Sequence, residues 1–469
     1  MSFFHLRTLP GYDWPALADA TLGQIWVAYL QLDRTQWLSP AEIEQGQLEQ
    51  VRSLLAHCIT DVPYYRGVLP LAGIVPGAIR TMADFRRIPR LPRRTYQEQF
   101  ASFAATRLPA GTVATTTRNT AGSSGSPLVV LQTNVVHLWW FALYPRDLEW
   151  SGINPAGTLA AIRSTGQKGK VLERLIQGMS QSGWLNELGP LLVPGTAHLM
   201  DIQQDPRVQV QWLRRIAPEY LLSYPSSLEV LANLIRADGP IRGLKAIQAI
   251  SETLADEVRD SIESAFGGPV KNLYSCAEAG YLASPCPKGH GLHVHSENVL
   301  LEVLDAEGRP CKPGESGQVY LTNMNNLRCP FIRYELGDVA TVGAEPCPCG
   351  RGLPLLASVQ RKLSPLFHLP NGRSKSSIAV TRLLRKLGGH WQHQFVQQAT
   401  DHVTVRLAIN TEWTARHEQD LRDQVETFFE APLRIDLEIH DRLPMPASGK
   451  FQSMINAMTS ASPSAAPAR

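Results

Sequence analysis

The chain is short of three things that would narrow its function at once. It lacks a charge imbalance: 45 basic against 42 acidic residues leave a net charge of +3 over 469 residues. No Lys/Arg run stands out as the footprint that nucleic acid or an anionic membrane surface requires. It lacks a long apolar run, since nothing approaches the roughly 20 residues of a membrane span. The opening MSFFHLRTLPGYDW places charge and proline where a secretory signal needs an unbroken apolar stretch. A cytoplasmic protein is expected, with neither nucleic acid nor membrane among its partners. It is also poor in cysteine. Seven residues at odd, clustered spacings argue against a disulfide framework and leave metal binding or plain burial of reduced thiols. No internal repeat is present.

What is there is chain enough for two or three domains, because a single core stops growing at about 250–300 residues. Residues 1 to about 110 read as mostly helical: WPALADATLGQIWVAYLQLDRTQWL and EIEQGQLEQVRSLLAHCI carry apolar residues at helical spacing. Ser39 and Pro40 supply an N-cap and a first-turn proline for the second. Over residues 111–360, apolar runs such as TLAAIR and AIQAIS alternate with helical stretches such as LEVLANLIRADG, then give way to NVLLEVLD, GQVYLTN and FIRYELGDVATV. An α/β domain is expected there. Residues 361–456 read as an αββαβ succession, enough for a small separate α+β domain. Residues 457–469 are low in complexity and expected to be disordered.

One stretch organises the rest: TTTRNTAGSSGSP, Thr115 to Pro127. Gly122 and Gly125 permit backbone angles other residues avoid, and Thr120, Ser123, Ser124 and Ser126 carry hydroxyl donors, so the segment can wrap a polyphosphate in N–H and O–H groups. The following LVVLQ reads as a strand, which distinguishes it from the GxxxxGK[ST] loop that opens a helix. A Gly/Ser-rich surface linker has the same composition. Four later segments keep it company in a fixed order: Ser251, Glu252 and Thr253 in AISETL; Tyr274, Ser275 and Glu278 in NLYSCAEAG; Asp338 in FIRYELGD; and Lys450 in PMPASGKF. Singly, each has a structural explanation, Glu278 as a solvated loop acid and Lys450 as a surface lysine.

Together, the five segments resemble the adenylate-forming superfamily, and within it the phenylacetate-CoA ligase and CapK-like branch. TAGSSGSP is similar to the family's SSGTTGxP, YSCAE to YGxTE, RYELGD to RYxTGD, and Ser448-Gly449-Lys450-Phe451 to its late SGK-F. The resemblance covers residues 40 to 456 or so. It implies a large, multi-layered N-terminal α/β domain carrying the AMP-binding core and a mobile small C-terminal domain. It further implies that Thr120, Ser123, Ser124 and Gly125 hold the β- and γ-phosphates of ATP, and that Glu278 ligates Mg²⁺, a hard cation suited to carboxylate oxygen. Asp338 would accept from the ribose hydroxyls, Tyr274, Ser275 and the turn Ser251–Thr253 would line the adenine site, and Lys450 would bring positive charge to the α-phosphate. The reaction implied is attack of a carboxylic acid, aryl or arylacetic by family, on ATP to give acyl-AMP and pyrophosphate, then transfer to coenzyme A; the alternatives are another acyl acceptor, an amine, hydroxyl or carrier protein, or a catalytically weakened CapK-like assembly protein that keeps the fold. A homodimer is allowed. The departures are Ser126, where many relatives have lysine; Cys276 in place of a small residue; and a hinge that reads SVQRKLSP instead of GRxDD, with Arg361 as the ribose-contacting arginine and no aspartate after it.

Cys286 lies in SPCPKGHGLHVH, and Cys347 and Cys349 lie in EPCPCGRG. One Cys with a nearby His, joined later by Cys-x-Cys, offers four ligands for tetrahedral Zn²⁺, although this is not the spacing of a common zinc finger. The family branch is similar here, which favours a structural zinc on Cys286, His293, Cys347 and Cys349; His290 and then His295 are the alternatives to His293. Cys58, Cys311 and Cys329 have no partners at useful spacing. Trp139, Trp140, Phe141, Tyr144 and Trp150 form an aromatic-rich helix that reads as core before it reads as a ligand wall.

Overall fold

The computed structural model describes residues 8–13, 16–18, 20–119, 128–184, 195–236, 238–360, 366–446 and 451–459. Thr120, Ser123, Ser124, Gly125, Arg361 and Lys450 lie outside them, as do residues 460–469 of the tail.

The N-terminal helices form as their apolar spacing demands. Ser39 caps the helix Pro40–Asp61 through a reciprocal pairing with Glu42, the arrangement that satisfies two otherwise orphaned donors. The same helix turns Leu48, Val51, Leu54, Leu55 and Cys58 onto one buried face against strand residues such as Val299 and Leu321. The first helix is shorter than its sequence pattern: it runs Ala20–Thr35, behind a two-strand ribbon of Thr8–Asp13 and Ala16–Ala18. Pro10, Gly11 and Pro15 are residues that a helix interior resists.

A six-stranded sheet follows, ordered Val270–Asn272, Ala246–Ala249, Tyr220–Ser223, Leu159–Arg163, Thr196–Asp201, Met179–Ser182, with every pair parallel except the last. All four residues of Ala246–Ala249 are buried, which explains why AIQA has a continuous rather than alternating apolar character. Helices Pro206–Ile216, Pro225–Ile235 and Asp256–Phe266 cover one face. The helix Asn134–Ser151 and the helix Ala20–Thr35 cover the other. Strand order reverses at Leu159–Arg163, so the crevice beyond the carboxyl ends of these strands is where such a sheet admits a ligand.

The edge strand Val270–Asn272 runs almost directly into Tyr274–Cys276, the edge of a second sheet. This one is antiparallel and seven-stranded, ordered Tyr274–Cys276, Gly280–Pro285, Leu292–Val294, Leu355–Gln360, Tyr334–Val342, Ser316–Asn323, Val299–Leu304. The seam between the sheets therefore falls at Leu273. Leu273 N still donates to Ala249 O at 3.0 Å, while Tyr274 already pairs with Ala283.

The αββαβ expectation for the C-terminal domain holds for the helices Ile378–Leu387 and Ala415–Phe429 and the strands His390–Ala399, His402–Ile409 and Arg434–His440. Two additions extend it: a ribbon of Leu366–His368 with Ser374–Ser376, and Met454–Asn456, which pairs parallel to His390–Ala399. The domain docks on the helix Pro225–Ile235. Trp391 and Ala408 bury against Val230, Arg385 pairs with Glu229, Arg382 pairs with Glu257, and Arg207 reaches Asp441 at 2.9 Å.

Candidate active site

Two of the singled-out segments meet at the seam. Tyr274, 1% exposed, donates its phenolic hydrogen to Asp338 Oδ2 at 2.8 Å. Asp338 comes from the strand Tyr334–Val342, so this contact crosses between non-adjacent strands of the second sheet. Glu278 sits in the turn that joins Tyr274–Cys276 to Gly280–Pro285 and is itself buried. Asn323 Nδ2 donates to its main-chain carbonyl at 2.7 Å, fixing the turn. Gly280 closes the turn at φ 75°, where a Cβ would lie 3.0 Å from Trp140, so the position favours glycine twice over. Burial pushes the Glu278 carboxyl up; Arg93 opposes the shift and the neighbouring Asp338 adds to it.

Arg93, a residue that sequence reasoning missed, stands over Glu278 at 3.7 Å from its Oε1 and donates to Tyr334 Oη at 3.1 Å. Nothing in LPRRTYQE marks it: two arginines at the start of a short helix read as solvated. From the same helix, Tyr96 Oη donates to Val129 O at 2.7 Å. Asn119 pairs with Val129 in an antiparallel ribbon, so the described chain leaves for the Gly/Ser-rich segment and returns from it beside this cluster.

The turn after Ala246–Ala249 also lies at the seam. Ser251 takes φ 66°, a left-handed conformation that is uncommon for serine and concentrates at ligand sites. The Glu252 carboxylate is engaged elsewhere, accepting from Ser226 N at 2.9 Å and Ser226 Oγ at 3.0 Å at the start of the helix Pro225–Ile235. What Glu252 itself can offer a ligand is therefore backbone. Ser275 is half-buried in the edge strand. The aromatic-rich helix is core: Tyr144 and Trp150 are buried, and Trp139, Trp140 and Phe141 pack against the cluster under the first sheet.

The second cluster joins Cys286, His293, Cys347 and Cys349, whose ligand atoms all lie within 4.8 Å of one another. Cys286 Sγ is 3.9 Å from Cys347 Sγ, and His293 Nε2 is 3.1 Å from Cys349 Sγ. A tetrahedral zinc with Zn–S bonds of about 2.3 Å separates its sulfurs by roughly 3.8 Å, so the donor set fits in number, softness and spacing. His293 Nδ1 faces Leu353 O at 3.0 Å; donating there fixes the tautomer and leaves Nε2 as the ligand nitrogen. Burial holds the His293 imidazole neutral, at about 4. His290 is exposed, and His295 faces Ser284 Oγ at 2.9 Å instead. Cys58 and Cys329 are core thiols and Cys311 is half-buried.

A buried polar chain runs from near this cluster toward the first sheet. Arg146, 2% exposed, pairs with Glu297 at 2.9 Å and lies 3.4 Å from His295 Nδ1; His295 Nε2 meets Ser284, which bonds Asp147. Gln248 Nε2 donates to Asp147 Oδ2 at 2.6 Å, while Asp147 Oδ1 is buried without a hydrogen-bond partner among the described residues.

Residues 180–329 match the AMP-binding enzyme family and residues 370–457 the CapK C-terminal domain. The phenylacetate-coenzyme A ligase of Thermus thermophilus is 26% identical over 314 residues, spanning 65% of this chain and 67% of the relative. Protein CapK of Staphylococcus aureus is 24% identical over 265 residues, 53% of this chain and 55% of the relative. In fold, a crystal structure of 2-hydroxyisobutyryl-CoA ligase in the postadenylation state is similar, with a TM-score of 0.69 at 19% identity over 97% of both chains. With the same ligase in its thioesterification state the TM-score is 0.58. The chain belongs to the adenylate-forming superfamily, in its phenylacetate-CoA ligase and CapK branch.

Proposed function

We propose that the protein activates a carboxylic acid with ATP, releasing pyrophosphate, and passes the acyl group to coenzyme A. The observation that carries this reading is the convergence of Asp338 with Tyr274 and Glu278, two residues of a single strand and the turn after it, about 60 positions earlier in the chain. Asp338 is oriented by Tyr274 to accept from ribose hydroxyls, and the tyrosine ring with the Ser251–Thr253 backbone forms the adenine side. Glu278 is the carboxylate for Mg²⁺, which when bound neutralises charge on the phosphates as the carboxylate approaches the α-phosphorus. Thr120, Ser123, Ser124 and Gly125 complete the phosphate end, Arg361 the ribose end, and Lys450 the α-phosphate. Two anions must meet in this reaction, so positioning and fixed charge are what the protein supplies.

The Cys286, His293, Cys347 and Cys349 cluster is assigned to a structural zinc, because four protein ligands leave no open position for substrate. No described helix is long and apolar enough to cross a membrane, and the reading is of a cytoplasmic enzyme. The CapK C-terminal match favours a second reading of the transfer step, in which an amine, hydroxyl or carrier protein replaces coenzyme A. Pyrophosphate–ATP exchange across a panel of aryl, arylacetic and aliphatic acids tests the activation step, and coenzyme A consumption with the best acid tests the transfer. Exchange without coenzyme A consumption selects the second reading; no exchange with any acid rejects both.

A further inference from the structure

We propose that Arg93 binds the β- and γ-phosphates of the nucleotide, and the pyrophosphate they become, a role that rests on the adenylation reading. The backbone places it there. Leu91 N donates to Arg333 O and Glu335 N donates to Leu91 O, each at 2.9 Å, and Leu91 bridges Tyr334 in parallel. Two residues later the chain starts the short helix Arg93–Glu98 with its guanidinium over Glu278. Arg93 is thus clipped to the strand that carries Asp338, while Tyr96 of the same helix grips Val129 just beyond the Gly/Ser-rich segment. It stands between the strand that carries Asp338 and the ribbon whose described ends, Asn119 and Val129, flank the Gly/Ser-rich segment.

Among the described residues its bonding is unspent. Of its five donors, one reaches Tyr334 Oη; the contact with Glu278, at 3.7 Å, is longer than a hydrogen bond. Arg333 shows what a structural arginine in this fold looks like: it grips Glu302 through two bonds of 2.8 and 3.1 Å, with side chains 6% and 3% exposed. Arg93 keeps 25% of its side chain exposed. The balance of charge also asks for such a partner. Glu278 and Asp338 bring two carboxylates to the seam, and Arg93 is the cation that contacts Glu278 among the described residues. A ligand whose phosphates and divalent cation take over Glu278 releases the guanidinium to phosphate oxygens, for which its planar fork is suited.

Calorimetric binding of pyrophosphate with magnesium, and separately of AMP, to the full chain and its Arg93→Gln and Arg93→Lys variants tests this without turnover. Arg93→Gln is expected to bind pyrophosphate weaker by about tenfold or more, AMP within about twofold, and Arg93→Lys to fall between wild type and Arg93→Gln. Equal weakening of both ligands would make Arg93 a scaffold of the seam and overturn the proposal, as would unchanged pyrophosphate binding while wild type binds both. A wild type that binds neither AMP nor pyrophosphate rejects the adenylation reading itself and the proposal with it.

Discussion

Tyr274 donates to Asp338 at 2.8 Å across the end of the second sheet, and that bond makes an aromatic ring and a carboxylate into one rigid unit. The sequence separates them, and the seam between the two sheets brings them together. Because both are buried, Tyr274→Phe leaves a charged acceptor short of one donor, a loss of about 1–3 kcal/mol. The expected result is a lower urea midpoint and a raised KM for ATP in pyrophosphate exchange. An unchanged midpoint would mean that the bond is replaced by water at no cost.

Asp147 gives the fold a pH dependence of definite sign. Burial, opposed by hydrogen bonds from Ser284 and Gln248, raises its carboxyl from 3.8 to about 6. The folded state holds this proton more tightly than the unfolded chain, so the contribution to stability is complete below about 4 and is lost as pH rises through about 6. Asp147→Asn keeps an acceptor for Gln248 and removes the titration. Relative to wild type, the variant should gain about 1–2 kcal/mol between pH 5 and pH 8, read from urea midpoints at each pH. A difference that stays flat, or moves the other way, contradicts the assignment.

What could be read without the fold, and what could not, divides by distance along the chain. The Ser39-Pro40-Glu42 cap is local chemistry and folds as its sequence says. Tyr274, Glu278 and Asp338 were legible only as an ordered set, since each alone is an ordinary loop or strand residue. Arg93 was not legible at all: its position over Glu278 depends on the Leu91–Tyr334 bridge, and backbone pairing of a two-residue clip leaves no periodicity to find. The histidines are an intermediate case. Strand alternation in LHVH puts His293 and His295 on one face, so sequence could have set His290 aside; it took Cys349 beside one and Ser284 beside the other to separate the remaining pair.

The Cys286, His293, Cys347 and Cys349 cluster makes a quantitative claim about metal content. Elemental analysis of purified protein should return about one zinc per chain, and His293→Ala should lose it while His290→Ala retains it. Chelation should lower the melting temperature of wild type and leave His293→Ala unmoved. The strands Leu292–Val294 and Leu355–Gln360 flank the cluster, so loss of metal is expected to loosen the second sheet before the first, seen as faster amide exchange there. Metal retained by His293→Ala would reject His293 as a ligand.

The docked position of the C-terminal domain leans on Glu229 and Arg385, whose side chains are 18% and 22% exposed, in addition to the apolar contact of Trp391 with Val230. If Lys450 works from that domain, weakening the dock should slow activation without altering the large domain. Glu229→Arg sets two like charges together at a half-buried contact, and a coupling of about 1–2 kcal/mol for such a pair implies a drop of roughly five- to thirtyfold in the docked fraction relative to open forms. Small-angle scattering should show a larger radius of gyration, and pyrophosphate exchange should fall while AMP binding holds. The reversed pair, Glu229→Arg with Arg385→Glu, restores attraction and should recover both readouts, which a mere loss of folding would not. Lys450→Ala, by contrast, should abolish exchange with scattering unchanged, because it removes the charge and leaves the dock. Should Glu229→Arg leave both exchange and scattering as in wild type, the apolar contact alone holds the domain and the ion pair is dispensable.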